Sequence, residues 1–210
     1  MNIRKATKSD IPFIVTAIIE IESFDNTNTF NNLFGTDTEQ TKKYLEAFLS
    51  DEENLGNEFA LNTYSVVEIE GENAACSSLF FTDSEYYQSK SELFPIHLEK
   101  NHLHHFFENV KDLPDNKKIV THKNFLEYIF VAKNFRNKGI SKPMIEHHIS
   151  QVDRLYILAL ENNTFAVEFY KRFGFVLDEE NQSFLIDTAE NSIYPYTKKV
   201  MLYKDNLKEN

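Results

Sequence analysis

The stretch "NFRNKGISKPM" (residues 134–144) decides the fold. It separates two apolar runs, "FLEYIFV" (125–131) and "MIEHHI" (144–149), which read as a strand and a helix. The chain has 5 glycines in 210 residues, and Gly139 stands at this junction. A helix starting near Ile140 leaves the backbone N–H groups of its first turn unpaired. Those groups and the helix dipole suit a phosphate. Gly139 allows close approach to the backbone and positive φ. Arg136 and Lys138 add charge, and Arg136 adds a fork of donors. Ser141 adds an N–H and a hydroxyl, and Pro143 falls in the first turn, where no donor is needed. The stretch therefore reads as a diphosphate cradle. It lacks the GK[ST] of a P-loop and the GxGxxG of a dinucleotide fingerprint. On these residues alone, a solvated basic turn fits as well.

Working outward, residues 124–131 read as a strand, about 141–152 as a helix, "LYILAL" (155–160) as a strand and 163–173 as a helix, with Gly174 at its C′ position. Short strand–helix–strand connections imply a parallel crossover. Upstream, "NIRKA" is a short strand. Ser9 is placed to cap a helix carrying Ile11, Ile14, Val15, Ile18 and Ile19, and a second helix covers "DTEQTKKYLEAFLSDE". "TYSVVEIE" and "NAACSSLFF" form a hairpin with a tight turn at Gly71-Glu72. Residues 83–118 hold one or two helices broken near Pro95, ending in the polar loop "KDLPDNKK". Late strands fall near "GFVLD" and "KKVMLYK". The expectation is one α/β domain over 1–210. Its mixed, mostly antiparallel sheet contains one parallel pair and carries helices on both faces, and 83–118 is an elaboration.

The charge sum, 22 − 33 = −11, disfavours a non-specific nucleic-acid binder and leans toward cationic substrates. The apolar fraction, 41 % with 19 Phe and 10 Tyr, is enough for a sizeable core. The lone Cys76 cannot form an internal disulfide and sits in an apolar run, as a buried thiol does. The opening "MNIRKATKSD" has no apolar h-region, and no run approaches a membrane span, so a cytoplasmic protein without membrane partners is expected. His97, His102, His104 and His105 raise metal binding, but the cluster has no Cys and one helix cannot aim adjacent residues at one ion, so no metal site is expected.

A second stretch, "ENNTFAVEFYKRFGF" (161–175), carries Asn163, Ala166, Tyr170, Gly174 and Phe175. Together the two stretches resemble the GNAT superfamily of acyl-CoA-dependent N-acyltransferases. The phosphate loop Q/R-x-x-G-x-G/A appears as Arg136-Asn137-Lys138-Gly139-Ile140-Ser141, with a small Ser at the last place. The signature N-x-x-A-x-x-x-Y-x-x-x-G-F is matched in full. "IRKATKSDI" is similar to the family's opening strand and helix start. The resemblance implies that strands 124–131 and 155–160 splay to admit acetyl-CoA as co-substrate. Ile129, Phe130 and Val131 would then line the pantetheine arm, and the amides from Arg136 to Ser141 would hold the diphosphate. Asn163 would contact the pantetheine or only cap the helix that follows it.

By the same resemblance, Tyr170 is the proton donor to the coenzyme thiolate, or else packs with Ala166, Phe169 and Phe173 inside the helix face. Backbone N–H near Val131 suits the oxyanion. Glu127 is the first candidate base: period two puts it on one face with Phe125, Ile129 and Val131. Glu161 is the second, and a wet sheet end explains either carboxylate equally well. The expected activity is N-acetyl transfer from acetyl-CoA to a small or peptide primary amine. Alternatives are an acyl-CoA-binding sensor or scaffold without turnover and an unrelated phosphate-binding domain. Residues 38–50 and 83–118 would shape the acceptor pocket, and a homodimer is left open.

Overall fold

The computed structural model describes residues 1–24, 27–112, 121–180 and 199–206. In chain order the elements are β1 (Asn2–Lys5), α1 (Ile11–Ile21), a minimal hairpin of β2 (Ser23–Phe24) and β3 (Thr27–Asn28), α2 (Thr29–Phe34) and α3 (Thr38–Ser50). There follow β4 (Tyr64–Ile69), β5 (Glu72–Thr82), α4 (Ser84–His97), α5 (Lys100–Asn109) and β6 (Lys123–Val131). The chain continues with α6 (Ser141–Ile149), β7 (Arg154–Leu160), α7 (Thr164–Arg172), β8 (Val176–Leu177) and β9 (Lys199–Asp205).

Among the described residues, seven strands form one sheet in the order β1-β4-β5-β6-β7-β9-β8. Only β6 and β7 run parallel; the other described pairs are antiparallel. Side chains of α1 to α5 pack on one face, against Tyr64, Val66, Cys76, Tyr128 and Phe130. Met144, Ile145 and Ile149 of α6, with α7, cover the other face. Strand alternation explains the division: Cys76 joins the first cluster, while the adjacent Ser77 hydrogen-bonds His148 of α6 at 2.8 Å.

The first face is an aromatic core. Phe34 lies within 6.3 Å, ring centre to ring centre, of Tyr44 and Phe48, edge-on, and of Phe94 and Phe106, tilted. Burying each such side chain stabilises the fold by about 1.5–3 kcal/mol. α2 was not legible in the sequence, because its six residues are too few to show a period. It forms because Asn28 Oδ1 accepts from the amides of Phe30 and Asn31, and Gly35 closes it at φ +63°. The 83–118 segment becomes α4 and α5. α4 runs past Pro95 to His97, and the break falls at Leu98–Glu99. Residues 113–118 of the expected polar loop lie outside the described residues.

Three local expectations need correction. The start of α1 is organised by Thr7 and Asp10 rather than by Ser9. Asp10, 2 % exposed, accepts from Arg4 through both oxygens and from the Thr7 amide at 2.8 Å. The β4–β5 turn is centred on Glu70 (φ +54°) and Gly71 (φ +83°), one residue earlier than the sequence suggested. Period two also fails along β6. Ser78 pairs with Glu127 and Cys76 with Phe130, so β6 carries an extra residue, and Tyr128 sits at φ +51°. That bulge leaves Glu127 on the face of Phe125, Tyr128 and Phe130, opposite Ile129 and Val131, which pack toward α6.

Candidate active site

The parallel pairing of β6 and β7 is confined to Asn124 with Leu155 and Phe125 with Tyr156. Beyond these two rungs β6 still pairs with β5 as far as Val131, but its other edge has no ladder partner among the described residues. The sheet therefore opens between β6 and β7, with Ile129, Phe130 and Val131 along the opening. A tyrosine at φ +51° costs about 1–3 kcal/mol of backbone strain, and such strain concentrates at functional sites.

At the end of β6 the chain makes one 3₁₀ turn, Lys133–Phe135, and then the glycine loop. Asn137 lies at φ +62° and Gly139 at φ +75°, and α6 begins at Ser141 with no side-chain cap. Left-handed residues on either side of Lys138 curl successive amides into a concave nest. The Arg136 amide donates to Lys133 O, and the next backbone bond is Met144 N to Ile140 O. Among the described residues the amides of Asn137 to Ser141 have no hydrogen-bond partner. A Cβ built on Gly139 meets nothing within 4 Å, so the space in front of the nest is open.

The two cations of the loop behave differently. Lys138 is exposed, with Nζ 5.1 Å from the Phe135 ring centre. Arg136 turns inward across the end of β6. Its Nε donates to Val131 O at 3.0 Å and its Nη2 to Glu20 Oε1 at 2.6 Å. Arg136 thus ties the loop to α1 and β6, while the amides behind it stay open.

Asn163 caps α7: its Oδ1 accepts from the Ala166 amide at 3.1 Å. α7 ends as the sequence suggests, with Phe175 N donating to Tyr170 O, Gly174 N to Lys171 O, and Gly174 at φ +82°. Tyr170 stands half-buried between Phe169 and Phe175, on the face of Leu126 and Ile157. Burial raises its phenol above the ordinary value, so it remains a neutral donor. Glu127 is half-buried on the opposite face. The two candidate catalytic groups thus approach the opening from opposite sides of the sheet. Glu161 is exposed just past β7.

Some groups near this site had no clear sequence signal. On the Glu127 face lie buried Tyr64, Tyr86 and Tyr128 and the ion pair of Glu58 with Lys90. Beneath the glycine loop, His148 is 1 % exposed, and burial brings its pKa down to about 3. The histidines of α4 and α5 have separate tasks: His97 bonds Asp51 at 2.7 Å and His102 bonds Tyr44 at 2.6 Å. Cys76 is buried, and burial pushes its thiol pKa up, which makes it inert.

Residues 61–177, more than half the chain, match the Acetyltransferase (GNAT) domain. The chain belongs to the GNAT acetyltransferase family. The GNAT match takes in the splayed strands, the glycine loop and α7. Over 62 residues this GNAT protein is 32 % identical to a probable spermine N(1)-acetyltransferase of Bacillus subtilis subsp. natto (strain BEST195). That alignment takes in 27 % of this chain and 41 % of the relative, so it spans less than half of the relative's length.

An N-acetyltransferase from Staphylococcus aureus Mu50 superposes with a TM-score of 0.72, covering 97 % of this chain and 100 % of that one, at 13 % identity. Mutant forms of the spermidine/spermine N-acetyltransferase SpeG from Vibrio cholerae give 0.51 over 98 % and 93 %, also at 13 %. At these identities the likeness is one of fold. Among the described residues, no helix is long and apolar enough to cross a membrane.

Proposed function

We propose that this GNAT protein moves an acetyl group from acetyl-CoA directly to a primary amine. The observation that carries this is the row of amides from Asn137 to Ser141, which have no partner among the described residues, in front of an open Gly139 and beside the edge of β6 that no described strand pairs. Those amides suit the coenzyme diphosphate. The free edge of β6 offers hydrogen bonds to the amide-bearing pantetheine arm, as to an added strand. Ile129, Phe130 and Val131 line that arm. Lys138 adds charge at the mouth, while Arg136 holds the loop in place through Glu20 and Val131.

In the transfer, a neutral amine attacks the thioester carbonyl. The C–N bond forms, the carbonyl becomes an oxyanion stabilised by backbone N–H near Val131, and the C–S bond then breaks. The amine proton leaves toward Glu127, directly or through water. The departing thiolate accepts a hydrogen bond from Tyr170. A thiol near pKa ~8.5 against a phenol near ~10 makes complete proton transfer uphill, and burial of Tyr170 steepens it, so the phenol acts mainly as a donor. The net charge of −11 and the relative described as a spermine acetyltransferase favour a cationic amine as acceptor. The test is free-thiol release from acetyl-CoA with a panel of amines. An acyl-CoA-binding sensor would bind coenzyme A and release none.

A further inference from the structure

The acceptor side of the sheet carries a charged group that the transfer chemistry does not use. Cross-strand pairing sets Tyr64 of β4, Ser78 of β5 and Glu127 of β6 in one row on one face. Tyr64 donates its hydroxyl to the Glu58 carbonyl at 2.8 Å, which fixes Glu58 above that row. Tyr64 and Glu127 stand two strand spacings apart, about 10 Å.

Glu58 is 5 % exposed, a depth at which a carboxylate needs every partner it can find. Its Oε1 pairs with Lys90, which also donates to the Tyr86 hydroxyl at 3.1 Å. Its Oε2 is buried without a hydrogen-bond partner among the described residues. A buried carboxylate oxygen left in that state is costly, and a cationic donor removes the cost.

The surroundings fit such a donor. The Tyr86 ring stacks on Phe80, 5.2 Å away, and Phe80 stacks in turn on Phe125, two residues from Glu127. Tyr128 is 8 % exposed. Aromatic faces attract ammonium groups. Glu22, Glu58 and Glu127 all lie close enough to Tyr128 to act on its phenol, which is pushed up first by burial and then by these charges. Lys90 pairs with Glu58. Its side chain is 34 % exposed, so solvent reaches the rim of the cluster.

We propose that Glu58 Oε2 is a subsite for a second ammonium group, so that the acceptor is a linear diamine or polyamine whose far nitrogen rests on Glu58 while its reacting nitrogen lies by Glu127. This rests on the transferase reading above and adds the acceptor's second charge to it. An acceptor with one nitrogen would leave Glu58 Oε2 empty. Lys90 holds the other oxygen when no acceptor is bound.

The experiment compares butylamine with linear diamines as acceptors from acetyl-CoA, in the wild-type chain and in Glu58→Gln. Loss of a charge-assisted contact raises KM for the diamines about tenfold or more and leaves the butylamine KM within about twofold. Equal KM changes for both amines, or none, overturn the proposal.

A second measurement covers misfolding of the variant. In the wild-type chain a diamine raises the melting temperature more than butylamine does at equal ionic strength. Equal shifts overturn the subsite whether or not any acetyl transfer is seen. Diamine-specific stabilisation with no thiol release keeps the subsite and removes the transferase reading.

Discussion

Replacing Gly139 with alanine separates strain from ligand binding. At φ +75° an L-residue is disfavoured by about 1–2 kcal/mol, and the lower entropy of the unfolded alanine chain offsets about 0.4–1 kcal/mol of that. The added methyl meets no atom within 4 Å, so no clash adds to the strain. The expected net loss is about 1 kcal/mol, or roughly 3 °C in melting temperature for a chain of this size.

Binding should suffer more. If alanine relaxes toward negative φ, the amide after it turns away from the nest. One charge-assisted hydrogen bond to phosphate is then lost, about 1.5–3 kcal/mol, which weakens coenzyme A by roughly 10- to 150-fold. Calorimetric titration of coenzyme A into both proteins, with melting curves alongside, reads the two effects separately. Asn137→Gly is the control: it relieves a residue already at φ +62° and should keep both stability and affinity. If Gly139→Ala melts about 3 °C lower and binds coenzyme A as before, the loop does not hold the diphosphate.

Three further outcomes are expected. Tyr170→Phe should lower kcat by roughly 10- to 150-fold, the size of one lost hydrogen bond to a charged thiolate, while the affinity for coenzyme A in a titration stays the same. Asp10→Ala should destabilise the fold by about 2 kcal/mol in urea, because it removes the buried acceptor of Arg4, the Thr7 amide and Asn73, while Arg4 keeps Glu68. His148 titrates near 6.5 when unfolded and near 3 when folded, so the unfolded chain alone takes up its proton in that window. Stability from this group is complete above pH ~6.5 and falls by about 1.4 kcal/mol per pH unit down to ~3. In His148→Gln, urea midpoints measured from pH 6.5 to 4 should therefore fall less steeply than in the wild type.

The candidate site was legible where its shape depends on local geometry. Gly139 and Gly174 stand at positive φ, Asn163 is a cap, and the strand, loop and helix around residues 124–149 follow from apolar spacing. The features that escaped depend on partners far along the chain. Arg136 pairs with Glu20, 116 residues away, so its side chain is committed to the fold. Glu58 meets Lys90 across 32 residues, and His148 meets Ser77 across 71. The bulge at Tyr128 is invisible to a period-two reading, because nothing about a tyrosine announces a left-handed backbone, and it separated Glu127 from Ile129 and Val131. Six residues of α2 gave no period, and an asparagine cap with a glycine stop built the helix instead.

The most direct measurement is the amide spectrum of the isotopically labelled chain, followed as coenzyme A is added. Shifts and slowed exchange should gather at Lys138, Gly139, Ile140 and Ser141, with smaller changes from Ile129 to Val131. Saturable binding that leaves those amides untouched would contradict the account, and so would no binding at millimolar coenzyme A.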